Sequence, residues 1–154
     1  MTPSAKHFTD TIFYQIELTA RYTKMLGMQL FGKLGVSITI EEFSTLDTVL
    51  ANEGLCQRDL AKLILKDRAN TGKLLDSLES KGLIKRELTI KNNRPVKIVT
   101  ITKKGIDTYN EVYTQLAPHH KNVEEKIINS DLYKLGELLK DLREILEDTI
   151  EIDI

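Results

Sequence analysis

The side chains best suited to chemistry in this sequence are the basic and amide groups of its middle segment. From Cys56 to Lys104 there are 13 Lys and Arg residues against 5 Asp and Glu, a net charge of +8, and the remainder of the chain nets −9. Because such groups donate hydrogen bonds to phosphates and base edges, the segment is typical of a nucleic-acid-binding surface. A solvated lysine-rich face without a partner is the alternative that charge alone leaves open.

The sequence contains no motif for catalysis or metal binding that compares with this basic segment. The sequence lacks G-x-S-x-G, a glycine-rich phosphate loop and H-E-x-x-H. The single cysteine, Cys56, cannot form an internal disulfide, and the 3 histidines have no cysteine partners at zinc-ligand spacing. We therefore expect no enzyme, no metal site and no cofactor. An oxidisable thiol is one reading of Cys56, and a small buried residue or weak helix cap is the other.

Length and composition indicate one globular domain. The chain has 154 residues, of which 41% are hydrophobic and 29% charged, which lies within the range of soluble globular proteins. Every apolar run is shorter than the roughly 18 residues that a membrane span requires. We expect a cytoplasmic protein without a membrane segment.

Six segments have apolar residues at the spacing of an amphipathic helix. A long first helix is expected from Phe8 to about Gly32, and the last helix, capped by Ser130, has the most regular apolar stripe. Pro118 is expected to kink the fifth helix. The second, third, fourth and fifth helices are expected to begin at or just after Thr39, Gln57, Asp67 and Thr102, and the third to extend to Lys66.

Alternating apolar and polar residues from Leu83 to Thr102 predict a β-hairpin. The alternation is interrupted over residues 91–95, KNNRP, which predicts a basic tip for the hairpin. The third and fourth helices precede this hairpin and have only a short connection. Their pairing predicts a helix-turn-helix whose second helix can enter a DNA major groove.

Helical spacing also assigns the faces of the fourth helix. If its leucines point inward, Thr71 also points inward. The outward residues are expected to be Ala69, Gly72, Lys73 and Asp76, with Asn70 and Ser77 on the flanks. Lys73 and Asn70 can donate to base edges or phosphates, and Gly72 lets a backbone come close. Exposed surface residues without a partner are the alternative.

Three pieces of sequence resemble the multiple antibiotic resistance (MarR) family of regulators. They are residues 56–61, CQRDLA, residues 74–86, LLDSLESKGLIKR, and residues 101–105, ITKKG. The resemblance implies a mainly α fold with a small β-hairpin wing, a winged helix-turn-helix with long N- and C-terminal dimerisation helices. It implies one domain over residues 1–154, with a DNA-binding lobe at 37–104 and a helical dimerisation region at 1–36 and 105–154. One departure is at the wing, where Asn92-Asn93-Arg94 and then Pro95 replace the usual Asp-x-Arg.

The resemblance implies a homodimeric regulator of transcription on a pseudo-palindromic double-stranded DNA operator. The expected function is a repressor released by a small molecule or an oxidant. A winged-helix protein-interaction module and an effector-independent DNA binder remain alternatives. The residues expected to contact DNA are Gln57, Arg58, Lys62, Arg68, Asn70, Gly72, Lys73, Ser77, Lys91, Asn93 and Arg94. The residues expected to line an effector pocket, with a core position as the alternative, are Tyr14, Tyr22 and Met25.

Overall fold

A computed structural model describes residues 6–151, which form six α-helices and one β-hairpin. The expected fold class, mainly α with a hairpin wing, is confirmed. The elements are α1 (Ile12–Leu34), α2 (Ile40–Ala51), α3 (Gln57–Leu63), α4 (Arg68–Ser80), β1 (Ile84–Lys91), β2 (Arg94–Ile101), α5 (Lys103–Ile128) and α6 (Leu135–Glu147). Short 3-10 turns, Phe8–Asp10 and Asp131–Lys134, precede α1 and α6.

The chain divides into two compact units after Ile40. In the first unit, α1 begins at the cap Thr11, whose hydroxyl accepts a hydrogen bond from the backbone N–H of Tyr14, and ends at Gly35 with φ 60°. No α1 residue is buried. Its exposed apolar side chains include Ile12, Phe13, Met25 and Met28.

The second unit contains α2 to α6 and the hairpin around an apolar core. Residues at helical spacing on α4, namely Thr71, Leu75 and Leu78, are buried. The base of the hairpin adds Ile84 and Val99. The other buried residues of these helices include Leu46, Val49, Leu60, Ala61, Val112 and Leu116. This core supports α4 and the wing from beneath.

The capping residues expected from the sequence are found at the starts of α4 and α5. Asp67 caps α4, and Gly82 follows it with φ 73°. Thr102 caps α5 by accepting a hydrogen bond from the backbone N–H of Gly105 at 3.0 Å. Gly105 is itself buried, and a Cβ there would lie 2.7 Å from Ile101 Cγ1 and closer still to the Leu83 carbonyl oxygen. Only glycine fits this crossing of α5 over the start of the wing.

Three helices differ from their expected bounds. The first α-helix begins at Ile12 rather than Phe8, because Phe8–Asp10 forms a separate 3-10 turn. The third helix ends at Leu63 rather than Lys66, because Leu65 adopts a left-handed conformation with φ 48° that no α-helix accommodates. Ser130 caps the 3-10 turn Asp131–Lys134 rather than the last α-helix. The α-helical part of the last segment is therefore one turn shorter than its apolar pattern suggests.

The wing is a regular antiparallel hairpin. Ile84 pairs with Ile101 at its base and Lys91 with Arg94 at its end. The expected hairpin is present, but the interruption between its strands is shorter than residues 91–95, because Asn92 and Asn93 alone form the turn, with φ 51° and 59°. Asparagine tolerates this left-handed geometry, which suits the twist of a two-residue hairpin.

α5 continues through Pro118 from Lys103 to Ile128, so one helix rather than two is confirmed, and the kink at Pro118 remains a prediction. Within residues 6–151, no helix combines the length and hydropathy needed to cross a membrane. The ends of the expected domain, residues 1–5 and 152–154, lie outside the described residues.

Candidate nucleic-acid interface

The helices α3 and α4 are joined by residues 64–67. At the end of this turn, the Asp67 carboxylate accepts hydrogen bonds from the backbone N–H of Asn70 at 2.8 Å and from its side-chain amide at 2.6 Å. These two bonds, the backbone one first, hold the pKa of Asp67 below its ordinary value. The amide of Asn70 is thereby fixed at the exposed start of α4.

One side of α4 is exposed and polar. Thr71 is fully buried on the opposite side, as its spacing predicts. Gly72, expected on the outward face, and Ser77, expected on its flank, are half-buried. The exposed residues of the first three turns are Arg68, Ala69, Asn70, Lys73 and Asp76. The exposed side therefore presents a guanidinium, an amide and an ammonium group within two turns.

Gly72 provides a test of close approach to this face. An alanine Cβ there would meet only Gln57 Nε2, at 4.0 Å. Gly72→Ala is expected to stabilise the fold by ~0.5–1 kcal/mol, because alanine favours a helix. If DNA lies against the backbone, the added methyl group weakens duplex binding by about tenfold, or ~1.4 kcal/mol. Thermal melting and fluorescence anisotropy measure the two effects. Unchanged DNA affinity in a stabilised variant would exclude close approach here.

Arg86, in β1, neutralises acidic residues of α4. Its guanidinium lies 2.5 Å from Asp76 Oδ1 and 2.6 Å from Glu79 Oε2, and its side chain is 14% exposed. The hydrogen bond from Arg86 lowers the pKa of Glu79. The same hydrogen bond to Glu79 raises the pKa of Arg86. The charge of Asp76 on the exposed face is therefore compensated within the protein. Sequence spacing placed Asp76 on this face without identifying its partner.

A buried network fixes α4 to α2. The carboxylate of Glu42, only 3% exposed, accepts hydrogen bonds from the Ser77 hydroxyl at 2.6 Å and the Lys81 ammonium at 2.7 and 3.0 Å. The Ser77 proton is thus directed into the protein, while its oxygen retains acceptor capacity. A DNA contact by Ser77 remains a prediction. Sequence analysis missed Glu42 and Lys81 because 39 residues separate them.

The other expected DNA contacts lie on α3, at the first residue of α4 and at the wing tip. All but Gln57 are exposed: Arg58, Lys62, Arg68, Lys91, Asn93 and Arg94. Within residues 6–151, none of the basic side chains in this group forms an ion pair. The turn residue Lys66, by contrast, lies 3.5 Å from Glu41. The surface formed by α3, the start of α4 and the wing tip thus carries several positive charges that no ion pair neutralises.

Gln57 is half-buried, and its Oε1 atom is buried without a hydrogen-bond partner in the described part of the chain. It lines a cavity of about 380 Å³ that lies between α3, the start of α4 and the first residues of β2. Lys97, which sequence analysis did not single out, also lines this cavity. Lys97 lies in β2, and the alternation of residues along a strand does not indicate which of them line a cavity.

The three expected effector-pocket residues lie on α1. Tyr14 is half-buried and its ring contacts Phe8 edge to face at 5.9 Å. Tyr22 and Met25 are 68% and 58% exposed. Met25 lines a shallow groove together with Met28, and neither tyrosine reaches that groove. Their role in effector binding remains a prediction.

Cys56 is half-buried and precedes α3 without capping it through its side chain. Its Sγ atom donates a hydrogen bond to Asp59 Oδ2 at 3.0 Å. Among residues 6–151, no three potential metal ligands lie close enough together to hold a metal ion.

An aromatic stack joins α2 and α5. Tyr109 stacks on Phe43 at 5.0 Å and on Tyr113 at 6.0 Å. Its hydroxyl donates a hydrogen bond to Asp47 Oδ1 at 2.6 Å. This bond, followed by desolvation and the negative charge of Asp47, raises the pKa of Tyr109 to about 12.

The raised pKa predicts alkaline behaviour specific to Tyr109. Its hydrogen bond stabilises the fold fully below the ordinary pKa of 10, and this contribution is lost as pH rises towards 12. The chain has 5 tyrosines and no tryptophan, so tyrosinate absorbance follows the titration directly. We expect one tyrosine to ionise near pH 12 in the wild type and at a lower pH in Asp47→Asn, because that substitution removes the largest cause of the raised pKa. Identical titration curves for the two proteins would contradict this assignment.

Comparisons with known proteins agree with this geometry. Residues 38–104 match the model of the MarR family. No curated protein sequence matches the chain. Escherichia coli MarR, as its C80S mutant with operator DNA, has 20% identity and a TM-score of 0.73, over 90% of this chain and 99% of that one.

Two further solved structures are similar. The Staphylococcus aureus MepR–DNA complex has 22% identity and a TM-score of 0.68, over 91% of this chain and 98% of that chain. Streptomyces coelicolor PcaV with its natural ligand has 14% identity and a TM-score of 0.70, over 96% of this chain and 100% of that one. The expected resemblance is therefore confirmed. Residues 38–104 match the MarR family, and the chain shares the fold of these solved structures over most of its length.

Proposed function

We propose that this protein is a homodimeric transcriptional regulator that binds double-stranded DNA in a sequence-specific manner. The observation that carries the proposal is the unneutralised positive surface of α3, α4 and the wing tip, which surrounds an exposed polar helix face. The similar structures of E. coli MarR and S. aureus MepR, both solved with DNA, support it.

In the proposed complex, α4 enters the major groove. Lys73 and Asn70 reach base edges or phosphates there, and the Gly72 backbone approaches the duplex. On α3 and at the start of α4, Gln57, Arg58, Lys62 and Arg68 contact the phosphate backbone, which fixes the register of the protein on DNA. Ser77, on the flank of α4, is a further proposed DNA contact through its accepting oxygen. At the wing, Lys91, Asn93 and Arg94 lie along the adjacent minor groove, into which Arg94 inserts.

One recognition helix reads few base pairs, so the proposed unit is a two-fold dimer on a pseudo-palindromic operator. The exposed apolar faces of α1 and α6 support a dimer, because large apolar patches rarely remain in water. Those on α6 include Leu135, Leu138 and Ile145. In this arrangement residues 37–104 form the DNA-binding lobe, and residues 1–36 and 105–154 form the dimerisation region.

The proposed regulator is a repressor released by a small molecule or an oxidant. The effector favours a form of the dimer whose recognition helices are wrongly spaced for DNA, and so it lowers the affinity for DNA. Bound DNA lowers the affinity for the effector by the same factor. Tyr14, Tyr22 and Met25 are the proposed effector contacts. The PcaV structure was solved with its natural ligand, which supports a ligand-responsive role.

The decisive experiment measures DNA binding of wild type and Arg94→Ala by fluorescence anisotropy. The DNA is the region upstream of the protein's own gene, with a scrambled duplex as the control, at two salt concentrations. We expect salt-sensitive binding that prefers the upstream duplex. Arg94→Ala should weaken it by about tenfold and reduce the salt slope by ~0.9, the value for one lost phosphate neutralisation.

The matched control is Lys126→Ala, which removes one exposed positive charge from α5 away from this surface. Its affinity should stay within about twofold of the wild type, because distant exposed charges are screened. Equal, weak binding of both duplexes by the wild type would overturn the proposed function and favour a protein partner for the basic surface.

A further inference from the structure

Two apolar side chains of the wing are exposed to an unusual degree. Ile90 and Leu88, both in β1, are 77% and 71% exposed, more than any other large hydrophobic side chain in the described part of the chain. Single exposed apolar residues are common on protein surfaces, but these two are neighbours on one face of a strand. Covering them with a partner would remove apolar surface from water, which is favourable.

The register of the hairpin extends this exposed surface to the second strand. Ile90 lies opposite Pro95, and Leu88 lies opposite Lys97. Directly opposed residues of an antiparallel pair project from the same side of the sheet, as do residues two apart along a strand. Pro95 is also exposed. Leu88, Ile90 and Pro95 therefore form one strip, which we call the apolar wing face.

The apolar wing face continues the core pattern of the hairpin into water. At the base of the hairpin the same side of the sheet carries Ile84 and Val99, and both are fully buried. Farther along β1 nothing in the described part of the chain covers Leu88 and Ile90. A strand that serves only to fold would carry polar residues at these positions, so apolar residues there indicate a contact outside the free chain.

The charges around the apolar wing face indicate the kind of partner. Residues 84–101 contain five basic residues and one acidic residue, Glu87. The acid alternates with the apolar residues of β1 and so lies on the opposite side of the sheet. Lys97 borders the apolar wing face, and Lys91 and Arg94 lie beyond it at the end of the hairpin. A complementary partner therefore has negative charges around an apolar surface.

DNA matches this description better than a protein does. Each partner of a stable protein complex buries about 800 Å², far more than three side chains supply. The walls of a DNA groove instead present the C–H groups of deoxyribose beside rows of phosphates. Proteins that bind the minor groove often combine basic residues with apolar ones such as leucine, isoleucine and proline.

We propose that the apolar wing face packs against the deoxyribose rings that line the DNA minor groove. This inference rests on the proposed function and adds an apolar contact to the charged contacts of the wing tip. Phosphate contacts weaken as salt rises, whereas an apolar contact with sugars releases no counterions. The wing therefore supplies a part of the affinity that salt does not remove. It also distinguishes deoxyribose from ribose, whose 2′-hydroxyl adds a polar group to the minor groove.

The first test compares wild type, Ile90→Thr and Leu88→Thr by fluorescence anisotropy with the upstream duplex over a series of salt concentrations. Threonine favours a strand but replaces apolar surface with a hydroxyl. Each substitution should weaken binding about fivefold at every salt concentration. The slope of log Kd against log salt should equal that of the wild type, whereas Arg94→Ala should reduce it by ~0.9. A reduced slope in the threonine variants would contradict an apolar contact.

Thr89→Ala is the matched control. Thr89 lies between the two test positions, is exposed and projects from the opposite side of the sheet. Its affinity for the duplex should stay within about twofold of the wild type. Thermal melting of all three variants should match the wild type, because their side chains are exposed. Equal losses of affinity in Thr89→Ala and Ile90→Thr would indicate an effect through the hairpin fold and overturn the proposal.

The second test changes the sugar instead of the protein. Hydroxyl-radical footprinting of the wild-type complex locates the nucleotides under the wing, and ribonucleotides then replace them. The ribose substitution should weaken binding of the wild type about threefold and binding of Ile90→Thr by less, because residues in contact show coupled effects. An equal effect of ribose on both proteins would overturn the proposed contact.

Other partners give different results. If the two threonine variants bind the duplex as tightly as the wild type, this inference fails while the proposed function stands. If they also change the sedimentation coefficient of the DNA-free protein, the apolar wing face is instead a contact between copies of this chain. If the wild type binds the upstream and scrambled duplexes equally weakly, the proposed function fails and this inference fails with it.

Discussion

Replacing Gly105 with alanine is expected to destabilise the protein by about 3 kcal/mol or more. The new Cβ would overlap the Leu83 carbonyl oxygen and lie 2.7 Å from Ile101 Cγ1. Neither neighbour can yield easily, because Leu83 is 2% exposed and its carbonyl accepts a hydrogen bond from the backbone N–H of Thr102. The start of α5 and the base of the wing must therefore separate. Denaturant unfolding followed by circular dichroism measures the loss.

Gly72→Ala is the matched control for this prediction. Both glycines lie in helices, but the Cβ at Gly72 has open space while the Cβ at Gly105 does not. The two substitutions should change stability with opposite signs. A Gly105→Ala variant within about 1 kcal/mol of the wild type would show that the wing base can shift at little cost.

Lys81→Met is expected to destabilise the fold by about 2–3 kcal/mol. The substitution leaves the carboxylate of Glu42, 3% exposed, without its cationic partner. The expected loss lies below the ~3–5 kcal/mol typical of a broken buried pair, because the Lys81 side chain is 37% exposed. The double variant Glu42→Gln, Lys81→Met should recover at least about 1 kcal/mol relative to additivity, since no buried charge then remains.

Lys66→Met is the control for the Lys81 result. Lys66 pairs with Glu41, the residue next to Glu42, but the Glu41 side chain is 62% exposed. Screening by water limits the expected loss to about 1 kcal/mol or less. Equal destabilisation by the two lysine substitutions would show that burial of Glu42 does not determine the effect.

Sequence alone predicted the features that depend on near neighbours. Asp67 and Thr102 cap their helices because a capping side chain needs only the backbone three residues ahead. The faces of α4 followed from helical spacing in the same way. Leu65 was not predictable, because a leucine with φ 48° contradicts its intrinsic preference and requires a tertiary cause.

For the candidate site too, the sequence predicted the exposed residues but not the contacts between distant segments. Its exposed charges, such as Lys73 and Arg94, followed from residue type and position. The compensating contacts did not, because Arg86 and Glu42 act on α4 from other elements of the fold. Both residues carry charges that a sequence count assigns to the surface, yet each side chain is largely buried and forms an ion pair with a residue in or next to α4. The cavity with Lys97 arises only when three elements assemble.

The two-residue turn of the wing has a consequence for the free protein. It sets Lys91 directly opposite Arg94 in the register of the hairpin. Like charges in such a cross-strand pair oppose hairpin formation. Added salt screens this repulsion and therefore stabilises the hairpin of the free protein. The same salt weakens the attraction between the wing tip and a polyanion, and so it lowers the affinity for that partner. The end of the wing therefore carries an unfavourable pair of like charges in the free protein, which an anionic partner would neutralise.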